Sequence, residues 1–287
     1  MEAQILVNGL LIGGVYGIAA LGLGLVWGVM SVVNVSHGDM LIFFAYMTWM
    51  MVATQALNPF VSLVLLIPVG FLVGMGLYRF VVRHLIRRSE VELMSLVLFF
   101  GLGAVVYGIA AYLWGSDFRS LPIPLPTIRV LGVAVPGTRL AAFVIAGGLV
   151  LGLSWFFKKT YWGKAIRAVA QSRNAARALG IDPDQVSAVS FGIALAYAGV
   201  AGALIAMISP LSPALGVAYA GRSFAVVVLG GLGNPVGALV AGIVLGLAES
   251  FSILWITFSL SPAVAFVLLF LVLILRPQGL FKPLRSR

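Results

Sequence analysis

The sequence has no cysteine, only two histidines and only eight acidic residues in 287 positions. Without thiols there are no disulfides and no thiolate metal sites, and the isolated His37 and His84 make no ligand cluster. No metal and no cofactor is therefore expected. The acids are scattered, so paired carboxylates and catalytic triads have no material to be built from. A phosphate-binding G-x-x-x-x-G-K-[ST] loop is also missing: Gly163-Lys164 is followed by Ala165 and lacks the earlier glycine. The chain is expected to be no enzyme and to hydrolyse no ATP by itself. A cleavable signal is not expected either, because the first ten residues hold no Lys or Arg and the run Ile5 to Val29 is too long for a signal's apolar segment.

What remains is apolar. With 62% hydrophobic and 9% charged residues, an ordinary soluble globule is excluded. Stretches of about 20 apolar residues, the length that crosses a bilayer core as a helix, recur near 5–29, 40–57, 60–82, 91–114, 139–157, 185–207 and 262–275. The stretch 216–256 is apolar but broken by glycine, and reads as two spans or as a re-entrant half-helix followed by one. The expectation is an all-α polytopic membrane protein of eight to nine crossings, a single transmembrane domain over 1–287, with no need for strands.

Fourteen of the eighteen basic residues lie in three places: Arg79, Arg83, Arg87 and Arg88; six in a polar island from Lys158 to Asp184; and Arg276, Lys282, Arg285 and Arg287. Such clusters mark the cytoplasmic face, which puts the N-terminus outside and, if 216–256 supplies two crossings, the C-terminus inside. The net charge of +10 is thus explained by topology and lipid headgroups, not by nucleic acid. Trp27, Trp49, Trp114, Trp155, Trp162 and Trp255 fall near span ends, as interfacial rings do, and Arg222 reads as a further membrane edge. The outer segment Gly115 to Thr138, with Pro122, Pro124, Pro126 and Pro136, favours turns or extended chain and reads as a lid, a docking surface or a plain connection. Glycines four apart (Gly9, Gly13 and Gly17; Gly24 and Gly28; Gly70 and Gly74; Gly242 and Gly246) suit close helix packing within one bundle, with some available to a partner subunit.

The island is the strongest polar feature. On a helical wheel Lys164, Arg167, Gln171 and Asn174 share one side, while Ala165, Val169, Ala176 and Leu179 share the other, and Gly180 and Pro183 then stop the helix. A surface helix on lipid has a similar pattern, but an alanine face is a poor lipid anchor and suits a protein groove. Asn34, Ser36, His37 and Asp39 sit between two spans, where polar groups either line a cavity or form the turn that caps the next helix. The break at Gly230, Gly231, Gly233, Asn234 and Pro235 frees backbone groups that must be met by protein or water, and reads as a pathway element or an interhelical turn. Glu249 gates the path or makes a buried structural hydrogen bond.

Three stretches in order resemble one family. The run from Gly163 through Lys164, Arg167, Gln171, Arg173 and Arg177 to Gly180 and Asp182 resembles the coupling loop of LivH-like permeases, the membrane subunits of branched-chain amino acid ABC importers. It carries Asn174 where relatives often have an acid. Val33-Asn34-Val-Ser-His37-Gly38-Asp39 is similar to the family's Asn-x-x-His-Gly element, followed by Phe44-Ala45-Tyr46 in place of Gly-Ala-Tyr. Val228 to Gly242 resembles its Gly-rich break.

That resemblance implies an inner-membrane, multi-pass permease subunit that binds membrane lipids. Its partners would be two cytoplasmic ATPase subunits, a second homologous permease subunit and an extracytoplasmic substrate-binding protein. Lys164, Arg167, Arg173, Arg177, Gly180 and Asp182 would face the ATPase. Asn34, Ser36, His37, Gly230, Gly231, Gly233, Asn234 and Glu249 would serve the path. The implied substrate is a branched-chain or other hydrophobic amino acid, with urea or short amides as an alternative and a stand-alone secondary transporter as another.

Overall fold

The computed structural model describes residues 2–86, 90–130, 132–257, 260–276 and 279–281. Arg87, Arg88, Lys282, Arg285 and Arg287 of the basic clusters lie outside them. The helices are α1 (Glu2–Met30), α2 (His37–Gln55), α3 (Pro59–Leu77), continued by a π turn (Tyr78–Val82) into the short α4 (Arg83–Leu85), and α5 (Val91–Trp114). Then follow α6 (Gly137–Lys159), α7 (Tyr161–Gln171), α8 (Arg173–Ala178), α9 (Pro183–Ile208), α10 (Leu215–Gly230), α11 (Pro235–Ser252) and α12 (Ala263–Leu275). Six described helical stretches are long and apolar enough to cross a bilayer, and α10 and α12 are shorter apolar helices. The chain is an all-α polytopic membrane protein with one exception. Between α5 and α6, strands β1 (Thr127–Val130) and β2 (Val133–Pro136) form an antiparallel hairpin, with Ile128 opposite Val135. The prolines that forbid helix here leave room for this strand pair, which the hydropathy pattern does not reveal.

Glycine sets the packing at the centre. α1 and α11 run antiparallel in close contact: a Cβ added at Gly9 would lie 2.9 Å from the Gly246 carbonyl oxygen, and one at Gly13 would lie 2.5 Å from the Ile243 Cα. Across the bundle, Gly70 and Gly74 of α3 press on α9, where added Cβ atoms would lie 2.5 Å from the carbonyl oxygens of Leu195 and Phe191. α1 and α9 are almost wholly buried, whereas most of α5 is exposed apart from a stripe through Ser95, Phe99, Gly103, Ala110 and Trp114. A membrane protein turned outward in this way meets lipid or another membrane subunit rather than water.

The two ends of the bundle are distinct. At one end Gln4 exchanges hydrogen bonds with the Ala134 backbone (2.7 and 2.9 Å), which places the start of α1 beside the hairpin. At the other, Arg83 meets Asp184 at 3.4 Å, and the Leu280 amide donates to the Leu229 carbonyl at 2.8 Å, next to the turn between α10 and α11. The first and last described segments therefore sit at opposite ends. Trp155 and Trp255 are exposed at helix ends, but Trp114 is buried, stacked on Tyr46 at 5.1 Å, and Trp27 packs edge-on against Phe224. For these two, interior packing replaces the interfacial role that their position suggests.

Two helices begin halfway across. After α1 the chain doubles back through 31–36, so that the His37 ring Nε2 sits 2.7 Å from the Ala19 carbonyl oxygen, beside the middle of α1. Leu211 pairs its backbone with Arg119, just beyond the end of α5, and the chain then descends to Gly216, where the Asp39 side chain occupies the space beside the glycine. Asp39 Oδ2 also lies 2.7 Å from where Gly103, in the middle of α5, would carry a Cβ. The starts of α2 and α10 thus meet at mid-depth. The stretch 216–256 resolves into two helices, of which the first is shorter than the six long candidate spans.

Candidate functional site

The island folds as two helices, not one. Thr160 caps α7 by accepting from the Gly163 amide at 3.0 Å, and Ser172, in extended backbone, ends α7 and caps α8 by accepting from the Ala175 amide at 3.2 Å. Such hydroxyl caps satisfy amides that helix starts leave free. The expectation that the alanine face is offered to a partner is corrected here. Ala165, Val169 and Ala176 are buried within the chain, along with Gly163, Ile166 and Ala170. Their small size lets α7 lie against α6, where a Cβ at Gly163 would be 2.5 Å from the Phe157 Cα. Leu179, placed with that face by the wheel, is instead 78% exposed, because α8 ends at Ala178 and Gly180 turns the chain with φ of 78°.

The six island residues fall into two groups. Arg177 and Gly180 are exposed beside Leu179, Lys164 is exposed in the first turn of α7, and Arg167 is half-buried. Asp182 and Arg173 are engaged within the chain. Asp182 caps α9 by accepting from the Asp184 amide at 2.9 Å, with Pro183 at the first helical position. Arg173 donates to Ser187 Oγ at 3.1 Å and to Asp184 Oδ1 at 3.3 Å. Tyr78 Oη donates to the same Asp184 oxygen at 3.3 Å. Tyr78 and Ser187 go unmarked in the sequence reading, which takes Arg83 only as a topology marker and Asp184 only as the end of the island; the signal available is an Asp-Pro-Asp run closing a basic segment.

At the α1–α2 return, Asn34, Ser36 and His37 are all buried. Ser36 Oγ donates to Asn34 Oδ1 at 2.8 Å, and the Val33 amide donates to Ser95 Oγ of α5 at 3.0 Å. These bonds hold the return between α1 and α5, which lets α2 start at mid-depth. Ser36 does not cap α2 with its side chain. Asp39 is half-buried, between α5 and the start of α10.

The glycine break is a tight interhelical turn at the island end of the bundle. Gly231 and Gly233 have φ of 82° and 75°, conformations that side-chain-bearing residues rarely adopt. Asn234 then caps α11 by accepting from the Gly237 amide at 3.0 Å. Gly230 lies against Gly237 at the crossing of the two helices, and Gly28 of α1 faces the Gly233 backbone. Gly231, Gly233 and Asn234 border a small crevice with Gly24 of α1 and with Leu153 and Phe157 of α6, the helix that leads into the island.

Glu249 is buried and fully engaged. Its Oε1 meets Arg222 Nε at 2.8 Å, and its Oε2 accepts from Tyr16 Oη at 2.7 Å. The guanidinium lies over the Tyr16 and Tyr219 rings at 5.2 and 5.5 Å. Arg222 is therefore held inside the bundle by protein groups rather than standing free at a helix end. It sits inside α10 with a side chain only 14% exposed, its charge matched by an acid 27 residues away that a linear reading does not connect to it. Among the described residues no group of three or more potential metal-binding side chains comes together.

Comparison with known proteins is consistent along the whole chain. Residues 5–275 match the family model described as branched-chain amino acid transport system / permease component. The chain is 27% identical to the high-affinity branched-chain amino acid transport system permease protein LivH of Salmonella typhimurium, over 96% of this chain and 94% of that protein. It is 29% identical, over the same shares, to the corresponding protein BraD of Pseudomonas aeruginosa. A shorter match, 32% identical over 44% of this chain and 29% of the relative, is to the high-affinity branched-chain amino acid transport system permease protein LivM of Escherichia coli. No solved structure gives a significant match.

Proposed function

The chain belongs to the family of branched-chain amino acid transport system permease components, and on that premise we propose that it forms part of the translocation path of an ATP-driven importer for branched-chain or other hydrophobic amino acids. The names of its relatives favour this substrate class over urea or short amides. The whole chain acts as one permease unit in the cytoplasmic (inner) membrane, surrounded by lipid. It works with two cytoplasmic ATPases, a second permease subunit of related sequence and an extracytoplasmic binding protein. The partial likeness to LivM supports the second permease.

The observation that carries the reading is the form of the island. It holds six of the eighteen basic residues at one end of the bundle, and its tip presents Arg177 and the exposed Leu179 around a glycine turn. A charged rim around an apolar side chain suits insertion into a cleft of a soluble protein. By the charge rule this end faces the cytoplasm, where the ATPases are. Movement of the tip would pass through α6 and α9 to the crevice at Gly231, Gly233 and Asn234, and to the mid-depth junction formed by Asn34, Ser36 and His37 with Asp39. A stand-alone secondary transporter needs coupling groups in the membrane, and Glu249 is already held by Arg222 and Tyr16, which favours a structural role for it.

Co-expression with the cognate ATPases tests the docking. Arg177→Glu combined with Leu179→Asp is expected to leave membrane insertion intact and to reduce capture of the ATPases from detergent extract at least tenfold. Wild-type capture by that variant would refute the docking surface. Concentrative uptake of leucine by the purified chain alone in liposomes would refute the dependence on partners.

A further inference from the structure

We propose that Asp184 is the tether through which α8 is held to the membrane-spanning helices, with Arg173 as its partner on α8, so that the pair positions the island for force transmission. The inference rests on the island docking to an ATPase, as argued above, and adds the route by which displacement leaves the tip.

α7 and α8 are secured by different means. α7 buries five residues, Gly163, Ala165, Ile166, Val169 and Ala170, and is fixed by apolar packing. α8 buries Ala176 alone, so apolar contact holds it only weakly. Ser172 lies between them in extended backbone, with φ of −157° and ψ of 114°. A single extended residue between two short helices can change its torsions without breaking a helical hydrogen bond, which makes it a pivot. What fixes α8 in place is polar. Arg173, its first residue, reaches Asp184 at 3.3 Å and Ser187 at 3.1 Å, both on the first turns of α9.

Asp184 extends the link beyond α9. Tyr78 Oη, from the π turn that ends α3, reaches Asp184 Oδ1 at 3.3 Å, and Arg83 Nε of α4 reaches Oδ2 at 3.4 Å. One carboxylate thus joins groups from α8, α9, the π turn and α4. Individual half-exposed ion pairs are weak, but a shared carboxylate in a network holds its members in one arrangement. Above this junction α3 and α9 are pressed backbone to backbone at Gly70 and Gly74, so a pull on Asp184 acts on the two helices together. π turns recur at functional sites, and this one supplies the tyrosine of the junction.

The role differs from docking and is separable from it. Asp184→Asn keeps the side-chain volume and removes the charge. The complex is expected to assemble as in the wild type and to go on hydrolysing ATP, while leucine uptake per ATP hydrolysed falls at least tenfold. Asp184→Glu is expected to keep most of the uptake. Uptake within twofold of wild type in Asp184→Asn would overturn the inference. Loss of ATPase capture in that variant would also overturn it, since the residue would then belong to the docking surface. Failure of the wild-type chain to capture an ATPase would refute the docking reading itself. A second test uses the absence of native cysteine. Arg173→Cys with Ser187→Cys is expected to lose uptake and to regain it when a short bifunctional thiol reagent joins α8 to α9. No loss before cross-linking, or no recovery after it, would show that this link does not carry the motion.

Discussion

At the scale of single residues, the buried Arg222–Glu249 pair dominates. A charged group taken out of water is tolerated only with a close partner and further hydrogen bonds, which Tyr16 and the two aromatic faces supply here. Glu249→Gln would leave the guanidinium without its counter-ion, and removal of one member of such a pair costs about 3–5 kcal/mol. A clearly lowered unfolding midpoint in detergent is expected, whereas Arg222→Met together with Glu249→Leu is expected to recover much of the loss. An unchanged midpoint in Glu249→Gln would mean that the pair contributes little. The sequence marks Glu249 as unusual but reads Arg222 as a membrane edge, because Tyr16, Arg222 and Glu249 are far apart along the chain and only the folded bundle joins them. Arg173 shows the opposite difficulty. Its charge was legible as part of the island, but that it is spent on Asp184 within the chain was not.

At the scale of elements, the glycines divide into those that packing requires and those that it does not. Gly13→Val is expected to prevent close approach of α1 and α11, since even a Cβ there would sit 2.5 Å from the Ile243 Cα. Gly148→Val in α6 has open space within 4 Å and is expected to be well tolerated within the chain. Fluorescence-detected size exclusion would separate the two, with a monodisperse peak lost only for Gly13→Val. At the turn between α10 and α11, an alanine at Gly231 or Gly233 would be forced to a positive φ at about 1–3 kcal/mol each. Bulkier replacements there are expected to stop uptake while ATPase capture persists; wild-type uptake would argue against a role in the path. Hydropathy made most of the long helices legible, because burial in lipid demands continuous apolar runs. It could not show that the island splits at Ser172, nor that a β-hairpin follows the prolines. Those features depend on caps and backbone pairing, which leave little trace in residue polarity.

At the scale of the whole molecule, two ends with different chemistry define the topology. Cysteine can be introduced singly into a chain that has none. With a thiol reagent that does not cross membranes, Phe118→Cys, near the hairpin end, is expected to label in intact cells once the outer barrier is permeable, and Arg177→Cys only in inverted vesicles. Labelling of both from one side would contradict the arrangement. The charge rule expects basic loops on the cytoplasmic side, and among the described residues Arg83 stands beside the island, paired with its last acid. The half-depth starts of α2 and α10 were not legible, since a helix beginning in mid-membrane has the same composition as one that begins at the surface. Their meeting has an electrical consequence. The positive N-terminal turns of two helices are packed together beside the Asp39 carboxylate, whose charge offsets their mutual repulsion. Discharge or withdrawal of Asp39 is therefore expected to weaken this junction without unwinding either helix.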